Sequence, residues 1–377
     1  MAVRFFNQLV SELCLGKPEL FGITAAATVN DALTVLKSSE GTHVSVWESG
    51  DERAIRSCFC VGKICMTDVI LFLCREENLA DPFKAFEAPV SQMLSEGVSV
   101  IRHLDSNSSL LEALDYILEG THNLAIPIQK KSLNNGGGYC WLTQEDVVRF
   151  LLSSIRVFSP IPSFAINSIN VIESDIMILH RDEPASSAVG YFNRALNQQT
   201  SVAVVDEKYR LIGEISPNKL ACCNETAAAA ITVLSVGDLM AYINCRSPPE
   251  DLIQLVRTRL LERNLVRMSD LVNEFFHSSV YHSSSTRSSD DESGPSRNWG
   301  SGRNCPDRSC EAIACSPTSS LVAVIIQALA HRVSCVWVVE EDHTLVGAVT
   351  FVGMLKVLRS FSGCRQNKPE KDNIFKQ

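Results

Sequence analysis

Two stretches decide the fold: SVAVVDEKYRLIGEISPNKL at residues 201–220 and CVWVVEEDHTLVGAVTFVGML at residues 335–355. They align without a gap. Gly213 falls on Gly347 and Ser216 on Thr350, both at an offset of 134 residues. Each runs through an apolar segment, a polar turn, a second apolar segment with a Gly, a hydroxyl, and then apolar residues at helical spacing. That pattern predicts strand, turn, strand, helix. Self-similarity at a fixed offset points to a repeat architecture.

The template fits the first half of the chain more loosely. THVSVW (42–47) and CFCVGKIC (58–65) read as two strands around a polar loop, followed by the helix MTDVILFLC (66–74). HNLAIPI (122–128), the loop KKSLNNGGG (130–138) and YCWL (139–142) repeat the pattern before Thr143. Gly62, Gly213 and Gly347 each lie three residues before the hydroxyl position, and Cys140 takes that place in the second copy. An amphipathic helix precedes each first strand, at 29–39, 109–120, 184–196 and 319–332, with apolar residues at i, i+3, i+4 and i+7. SELCLGKP, APVSQML, AINSINVIE and VGDLMAYI supply a strand and helix in front of each unit.

In WLTQEDVVRF (141–150) the hydroxyl and the acid are Thr143 and Asp146. Ser or Thr followed three residues later by an acid is close to a capping box, in which the hydroxyl accepts from an orphan N–H and the acid complements the helix dipole. Such a cap is worth about 0.5–2 kcal/mol and requires no ligand.

The chain has 377 residues, 45% of them apolar, enough for two or three domains with substantial cores. Its net charge of −9 argues against general nucleic-acid binding, which needs a basic face. No run approaches the ~20 apolar residues of a membrane helix, and the N-terminal stretch reads as neither a secretory signal nor a transit peptide. The expected location is cytoplasmic. The 14 cysteines, mostly among apolar residues, suit a reduced compartment. Without paired C-x-x-C knuckles they read as core thiols rather than a zinc site. Residues 278–308 are rich in Ser, Gly and charge, and read as a disordered insertion.

The unit resembles the CBS domain, a β-α-β-β-α module. That family carries an apolar strand often ending in Pro-Val or Pro-Ile, then G-apolar-apolar-[ST]-x-x-[DN] opening the last helix. The second copy has Ala125-Ile126-Pro127-Ile128 and Thr143-x-x-Asp146; the fourth has Gly347-Ala348-Val349-Thr350. With LCLGKP near its start, the four-copy chain resembles the plant stand-alone CBS-domain proteins of CBSX type. The resemblance implies an α/β (α+β) fold of four repeats paired into two Bateman modules. The expected repeats are 1–76, 86–156, 160–232 and 234–363, the last with a disordered insertion at 278–311, followed by a flexible tail at 364–377.

In CBS domains that bind adenosine ligands, the hydroxyl and acid after the second strand face the cleft between paired domains. The carboxylate takes the ribose hydroxyls, the hydroxyl helps hold phosphate or ribose, and the apolar-Pro strand walls the adenine. Carried over, this implies a nucleoside site in the first module from Asp68 and Cys65 of copy one and Ile126, Pro127, Thr143 and Asp146 of copy two. Thr67 should point elsewhere. In the second module Ser216, Lys219 and Thr350 are weaker candidates. Lys219 stands where the acid belongs and cannot accept from a ribose, though it can pair with a phosphate. Gly353 occupies the acid position of copy four, so Ser216 and Thr350 read as caps. Lys63 and Arg149 flank the first module's motifs and read as water-facing. His43 and His122 read as solvated or packed rather than as ligands.

No Walker loop, G-x-S-x-G, H-E-x-x-H or dinucleotide fingerprint is present, so the chain reads as non-catalytic and in need of no cofactor. One reading is a sensor of AMP, ADP, ATP or S-adenosylmethionine that modulates a partner protein. The other is a ligand-independent scaffold of degenerate CBS domains. The resemblance implies a kinase or a thioredoxin-type enzyme as partner. It leaves open whether one chain closes two modules head to head or two chains form a homodimer.

Overall fold

The computed structural model describes residues 5–39, 41–48, 59–94, 101–121, 123–128, 138–244, 248–284 and 311–360. His122 and the tail after residue 360 lie outside the described residues, as does most of the expected insertion.

The first repeat runs β1 (Gly22–Thr24), α1 (Val29–Ser38), β2 (His43–Glu48), β3 (Phe59–Cys65) and α2 (Met66–Leu73). The second runs β4 (Arg102–His103), α3 (Leu110–Leu118), β5 (Asn123–Ile128), β6 (Gly138–Thr143) and α4 (Gln144–Ser153). In the third, β7 (Ile178–His180), α5 (Val189–Gln198), β8 (Val202–Val205) and β9 (Leu211–Ile215) lead into a short helix, Pro217–Leu220, and α6 (Ala227–Val233). Then come α7 (Val236–Asn244), α8 (Glu250–Glu262) and α9 (Val266–Ser284). The fourth repeat runs β10 (Ala314–Cys315), α10 (Leu321–His331), β11 (Cys335–Val339), β12 (Leu345–Thr350) and α11 (Phe351–Ser360). All four sheets share one topology: a short first strand runs parallel to the second, which pairs antiparallel with the third.

Local chemistry sets the element ends. Thr28 opens α1 with a full capping box, its Oγ1 accepting from Asp31 N at 3.1 Å while Asp31 Oδ2 accepts from Thr28 N at 2.9 Å. Ser109 and Ser320 cap α3 and α10 through their hydroxyls. The third copy departs from the single terminal helix of the template. There Asn224 accepts from Thr226 N at 2.9 Å, offering the backbone a turn in place of helix. The chain breaks and resumes as α6, which is buried along its whole length.

Sheets pair within modules and helices pair between them. Repeats 1 and 2 meet through their sheets, as do repeats 3 and 4, where Leu211 N donates to His343 O and Leu345 N to Tyr209 O, each at 3.0 Å. Helix α2, however, packs on α5, α6 and the Pro217–Leu220 turn of repeat 3, and α4 packs on α10 and α11 of repeat 4. Two large cores result, one joining repeats 1 and 3 and one joining repeats 2 and 4. Polar ties cross the same seams. Thr67 is buried and donates to Pro217 O at 2.6 Å, so it does point away from the cleft. Lys37 pairs with Glu225 at 2.6 Å and Arg359 with Asp115 at 3.1 Å.

Helices α8 and α9 lie within the span assigned by sequence to the fourth repeat, yet they pack elsewhere. Ile253, Val256, Leu260, Met268 and Val272 complete the core of repeats 1 and 3. Residues 278–284, read as the start of a disordered insertion, continue the helical run of α9. No helix among the described residues is long and apolar enough to cross a membrane.

Candidate functional site

Alternation along β3 positions one wall of the cleft between repeats 1 and 2. Cys60, Gly62 and Ile64 are buried, while Phe59 and Val61 are exposed and Lys63 is half-buried on the opposite face. Leu124 and Ile126 of β5 turn into the core of repeats 2 and 4. Asn123, Ala125 and Pro127 therefore take the other face of that strand. Ile126 thus commits its side chain to the core and leaves only its backbone near the cleft, whereas Pro127 is half-buried opposite Tyr139.

Aromatic rings fill this interface. The Phe59 and His103 rings meet edge-on at 6.0 Å, His103 meets Tyr139 at 5.4 Å, and Tyr139 meets Trp47 at 5.8 Å. Lys63 Nζ lies 5.7 Å from the centre of the Trp141 ring and donates to Asn123 Oδ1 at 3.1 Å. Gln199, from repeat 3, reaches the same Asn123 oxygen at 3.3 Å. Lys63 therefore faces the cleft and not water. Arg149 is exposed and pairs with Glu145 along α4. His43 is packed, its Nδ1 2.7 Å from Thr42 Oγ1, and burial together with nearby Lys63 holds its pKa well below the usual histidine range.

The expected hydroxyl-acid pair is intact in repeat 2. Asp146 Oδ2 accepts from Thr143 N at 2.7 Å and from Thr143 Oγ1 at 2.6 Å, while Thr143 Oγ1 accepts from Asp146 N at 3.3 Å. A third donor comes from far along the chain: Lys17 Nζ pairs with the same Oδ2 and donates to Trp141 O at 2.7 Å. The segment bearing Lys17 is pinned to β6, where Leu20 N donates to Tyr139 O at 2.7 Å. Beside it Cys14 and Cys140, both buried, share a thiol hydrogen bond that raises the Cys14 pKa and lowers that of Cys140.

In repeat 1, Asp68 accepts from Cys65 N at 2.7 Å, and burial raises its pKa. It also lines a small cavity with Arg75 and with Asn193 and Asn197 of α5. Burial lowers the pKa of Lys63, opposed by the charges of Cys65, Asp68 and Asp146. Lys63 thus lies within electrostatic reach of both candidate carboxylates.

The second module is built differently. Ala203, Cys335, Trp337 and Ala348 form an apolar cluster across its sheet interface, and Trp337 is fully buried. Trp337 Nε1 donates to Glu214 Oε2 at 2.7 Å, and Lys219 pairs with Glu214 Oε1 at 2.9 Å. Ser216 and Thr350 cap their helices, accepting from Lys219 N at 3.2 Å and Gly353 N at 3.0 Å. Where Gly353 replaces the acid, Glu173 fills the space: its Oε1 accepts from Thr350 Oγ1 at 2.9 Å, and a Cβ on Gly353 would lie 3.1 Å from it. The carboxylate absent from the motif is supplied by the segment that precedes β7.

Sequence reasoning missed Lys17, Asn123 and Glu173, and turned Lys63 toward water. For Lys63 a signal existed in the alternation of 59, 61 and 63. For Lys17 and Glu173 none did, because their partners lie 129 and 177 residues away.

Comparison with known proteins agrees with this architecture. The CBS domain matches residues 308–360. The chain is 43% identical to the CBS domain-containing protein CBSX5 of Arabidopsis thaliana, over 96% of this chain and 99% of that protein. It is 25% identical to CBSX6 of the same plant, over 93% of each. It is 21% identical to the SNF1-related protein kinase regulatory subunit gamma-like PV42b, also of Arabidopsis, over 95% of this chain and 96% of that protein. Among solved structures, protein MJ1225 from Methanocaldococcus jannaschii, described as an archaeal homolog of g-AMPK, superposes with a TM-score of 0.55 at 15% identity, covering 93% of this chain and 99% of that one. Four repeats with one sheet topology, paired through their sheets, with the hydroxyl-acid motif intact in the second, together with 43% identity to CBSX5 over nearly the full length, lead to one conclusion: the chain belongs to the plant CBSX-type family of CBS-domain proteins.

Proposed function

We propose that the protein is a non-catalytic regulator that takes an adenosine-containing ligand, such as AMP, ADP, ATP or S-adenosylmethionine, between repeats 1 and 2 and thereby modulates a partner protein kinase. One observation carries the reading. The first module's cleft is lined by the half-buried rings of Trp47, Tyr139 and Trp141, with Lys63 over the Trp141 ring and within electrostatic reach of Asp68 and Asp146. The equivalent interface of the second module is closed by an apolar cluster around Trp337. Rings and backbone suit a flat base, and a carboxylate suits vicinal ribose hydroxyls through charge-assisted hydrogen bonds. Asp68, Cys65, Pro127, Thr143 and Asp146 would contact the ligand, with Ile126 contributing backbone. The kinase assignment rests on likeness to the PV42b and PV42a gamma-like subunits.

A ligand can shift the module only by binding its conformations with different affinity. The closed second module favours a second reading for that half, a scaffold whose surface meets the partner without a ligand. Calorimetry of the folded chain against AMP, ADP, ATP and S-adenosylmethionine tests the first reading. Saturable binding at one site per chain is expected, and Asp146→Ala should weaken it by ~1.5–3 kcal/mol, about tenfold to a hundredfold. Flat traces on folded protein would reject the sensor and leave the scaffold.

A further inference from the structure

We propose that Cys14 and Cys140 form a reversible redox modification site, and that a disulfide between them staples the N-terminal segment onto β6. The inference stands apart from ligand binding and holds whether or not the first module takes a nucleoside.

Elements far apart in sequence bring the two thiols together. Cys14 ends the short helix Val10–Leu13, its N–H donating to Ser11 O at 3.2 Å. That helix is tied to repeat 2, with Val10 N donating to Ser108 O at 2.9 Å and Leu110 N to Gln8 O at 2.7 Å. Cys140 lies within β6, opposite Ile126. Both side chains are buried in the core of repeats 2 and 4, where the Cys14 thiol donates to the Cys140 sulfur. Other thiols are spent differently: those of Cys60, Cys74 and Cys223 donate to the carbonyls of Gly62, Ala228 and Lys219. A carbonyl gives a sulfur nothing to bond with. A second sulfur does, and the pair needs only to close from hydrogen-bonding contact to the ~2.05 Å of a disulfide.

The surroundings choose the attacking sulfur. Lys17 Nζ donates to Trp141 O, next in sequence to Cys140, and Lys17 N donates to Cys14 O at 3.2 Å. The hydrogen bond from Cys14 and the Lys17 ammonium favour the Cys140 thiolate, against burial and the charge of Asp146. With hydrogen peroxide as the oxidant, the Cys140 thiolate attacks one peroxide oxygen. The O–O bond breaks, the leaving hydroxide takes up a proton as water, and Cys140 becomes a sulfenic acid. The Cys14 sulfur then displaces that hydroxyl, and a second water carries away the Cys14 proton. Two thiols and one peroxide thus give one disulfide and two waters. A small dithiol reverses the bond by exchange and departs as its own cyclic disulfide.

The consequence lies just beyond Cys14. Lys17 closes on Asp146 and Trp141 O, and Leu20 N donates to Tyr139 O at 2.7 Å. In the reduced chain these non-covalent ties can open together as a local unit. A bond at residue 14 keeps the segment on β6 and encloses repeat 1 in a covalent loop, which also restricts the unfolded chain.

The test takes the folded full-length chain, fully reduced, treats it with hydrogen peroxide, and alkylates the remaining thiols before proteolysis. Mass spectrometry should find peptides linked through Cys14 and Cys140, and dithiothreitol should separate them. Hydrogen exchange at the Lys17 and Leu20 amides should slow at least tenfold in the linked form, and its urea midpoint should rise. Cys14→Ala should show neither change after the same treatment. Cys14 and Cys140 recovered alkylated, or as separate sulfinic acids, from oxidised folded protein overturns the site. So does a link that forms only in urea. A link that leaves exchange at Leu20 unchanged overturns the staple. Mapping of the wild type decides the site even where Cys14→Ala fails to fold.

Discussion

Replacing Lys219 by Met removes a cation from a carboxylate that has almost no access to water. Glu214 is 1% exposed, with Lys219 Nζ 2.9 Å from Oε1 and Trp337 Nε1 2.7 Å from Oε2. At that separation and an effective dielectric constant near 20, Coulomb attraction is about 6 kcal/mol. Desolvation of both ions offsets much of it, but removing one partner leaves the other's penalty in place. Breaking a buried pair in this way costs about 3–5 kcal/mol. Met keeps the apolar stem, so the loss reports charge and not packing. Glu214→Gln in the same chain removes the stranded charge while keeping an acceptor for the indole N–H, and should restore at least ~2 kcal/mol of the loss. Urea unfolding followed by Trp fluorescence, with Trp337 inside the reporter region, measures both variants, and an unchanged m-value shows that the denatured state is comparable. A Lys219→Met chain within about 1 kcal/mol of the wild type would refute the reasoning. So would a double variant no more stable than the single one, because the cost would then not arise from an unpaired charge.

Further outcomes follow from other sites. Burial and Lys63 depress the pKa of His43, so the folded chain refuses a proton that the unfolded chain accepts near pH ~6.5. Stability from this residue is therefore complete above that pH and lost as the pH falls below it. Thermal melts between about pH 7 and 5 should decline less steeply for His43→Gln than for the wild type. Gly347→Ala places a Cβ 2.5 Å from the Glu173 carbonyl oxygen and 2.8 Å from Ile172 Cγ2, against a segment paired backbone to backbone with β12. It should cost about 1–3 kcal/mol in urea melts. Gly62→Ala should cost less, since the contacts its Cβ would make are with the movable tip of Leu94. An equal loss in the two variants would undo that distinction.

The repeat and its helix starts were legible because both are short-range patterns. Strand alternation, turn residues and caps such as Thr28, Ser109 and Thr143 all sit within a few residues of what they determine. The breaks came where distant segments intervene. Lys219 looks like a lost acid until Glu214 and Trp337 are seen around it. Gly353 looks like a missing carboxylate until Glu173 is found in its place. Lys17 lies before the first strand and carries no sign in sequence that it will close on Asp146. Helices α8 and α9 fall between two parts of the fourth repeat, and nothing local says that they cover repeats 1 and 3. The candidate acids were readable as residues, but the cations that set their chemistry were not.

The alternation of sheet pairing within modules and helix pairing between them has a consequence for biosynthesis. Most multidomain chains fold from the N-terminus as each unit leaves the ribosome. Here α2 carries Val69, Ile70 and Leu73 into a core whose other half is Phe192, Leu220 and Ile231, synthesised well over a hundred residues later. Repeat 2 likewise waits for α10 and α11 of repeat 4. Long-range closure of this kind is slow, because loop entropy must be overcome before the contacts form. The nascent chain therefore holds an unfinished apolar face until α10 and α11 emerge. Cut near residue 160, it should yield two aggregation-prone fragments that recover only when made together.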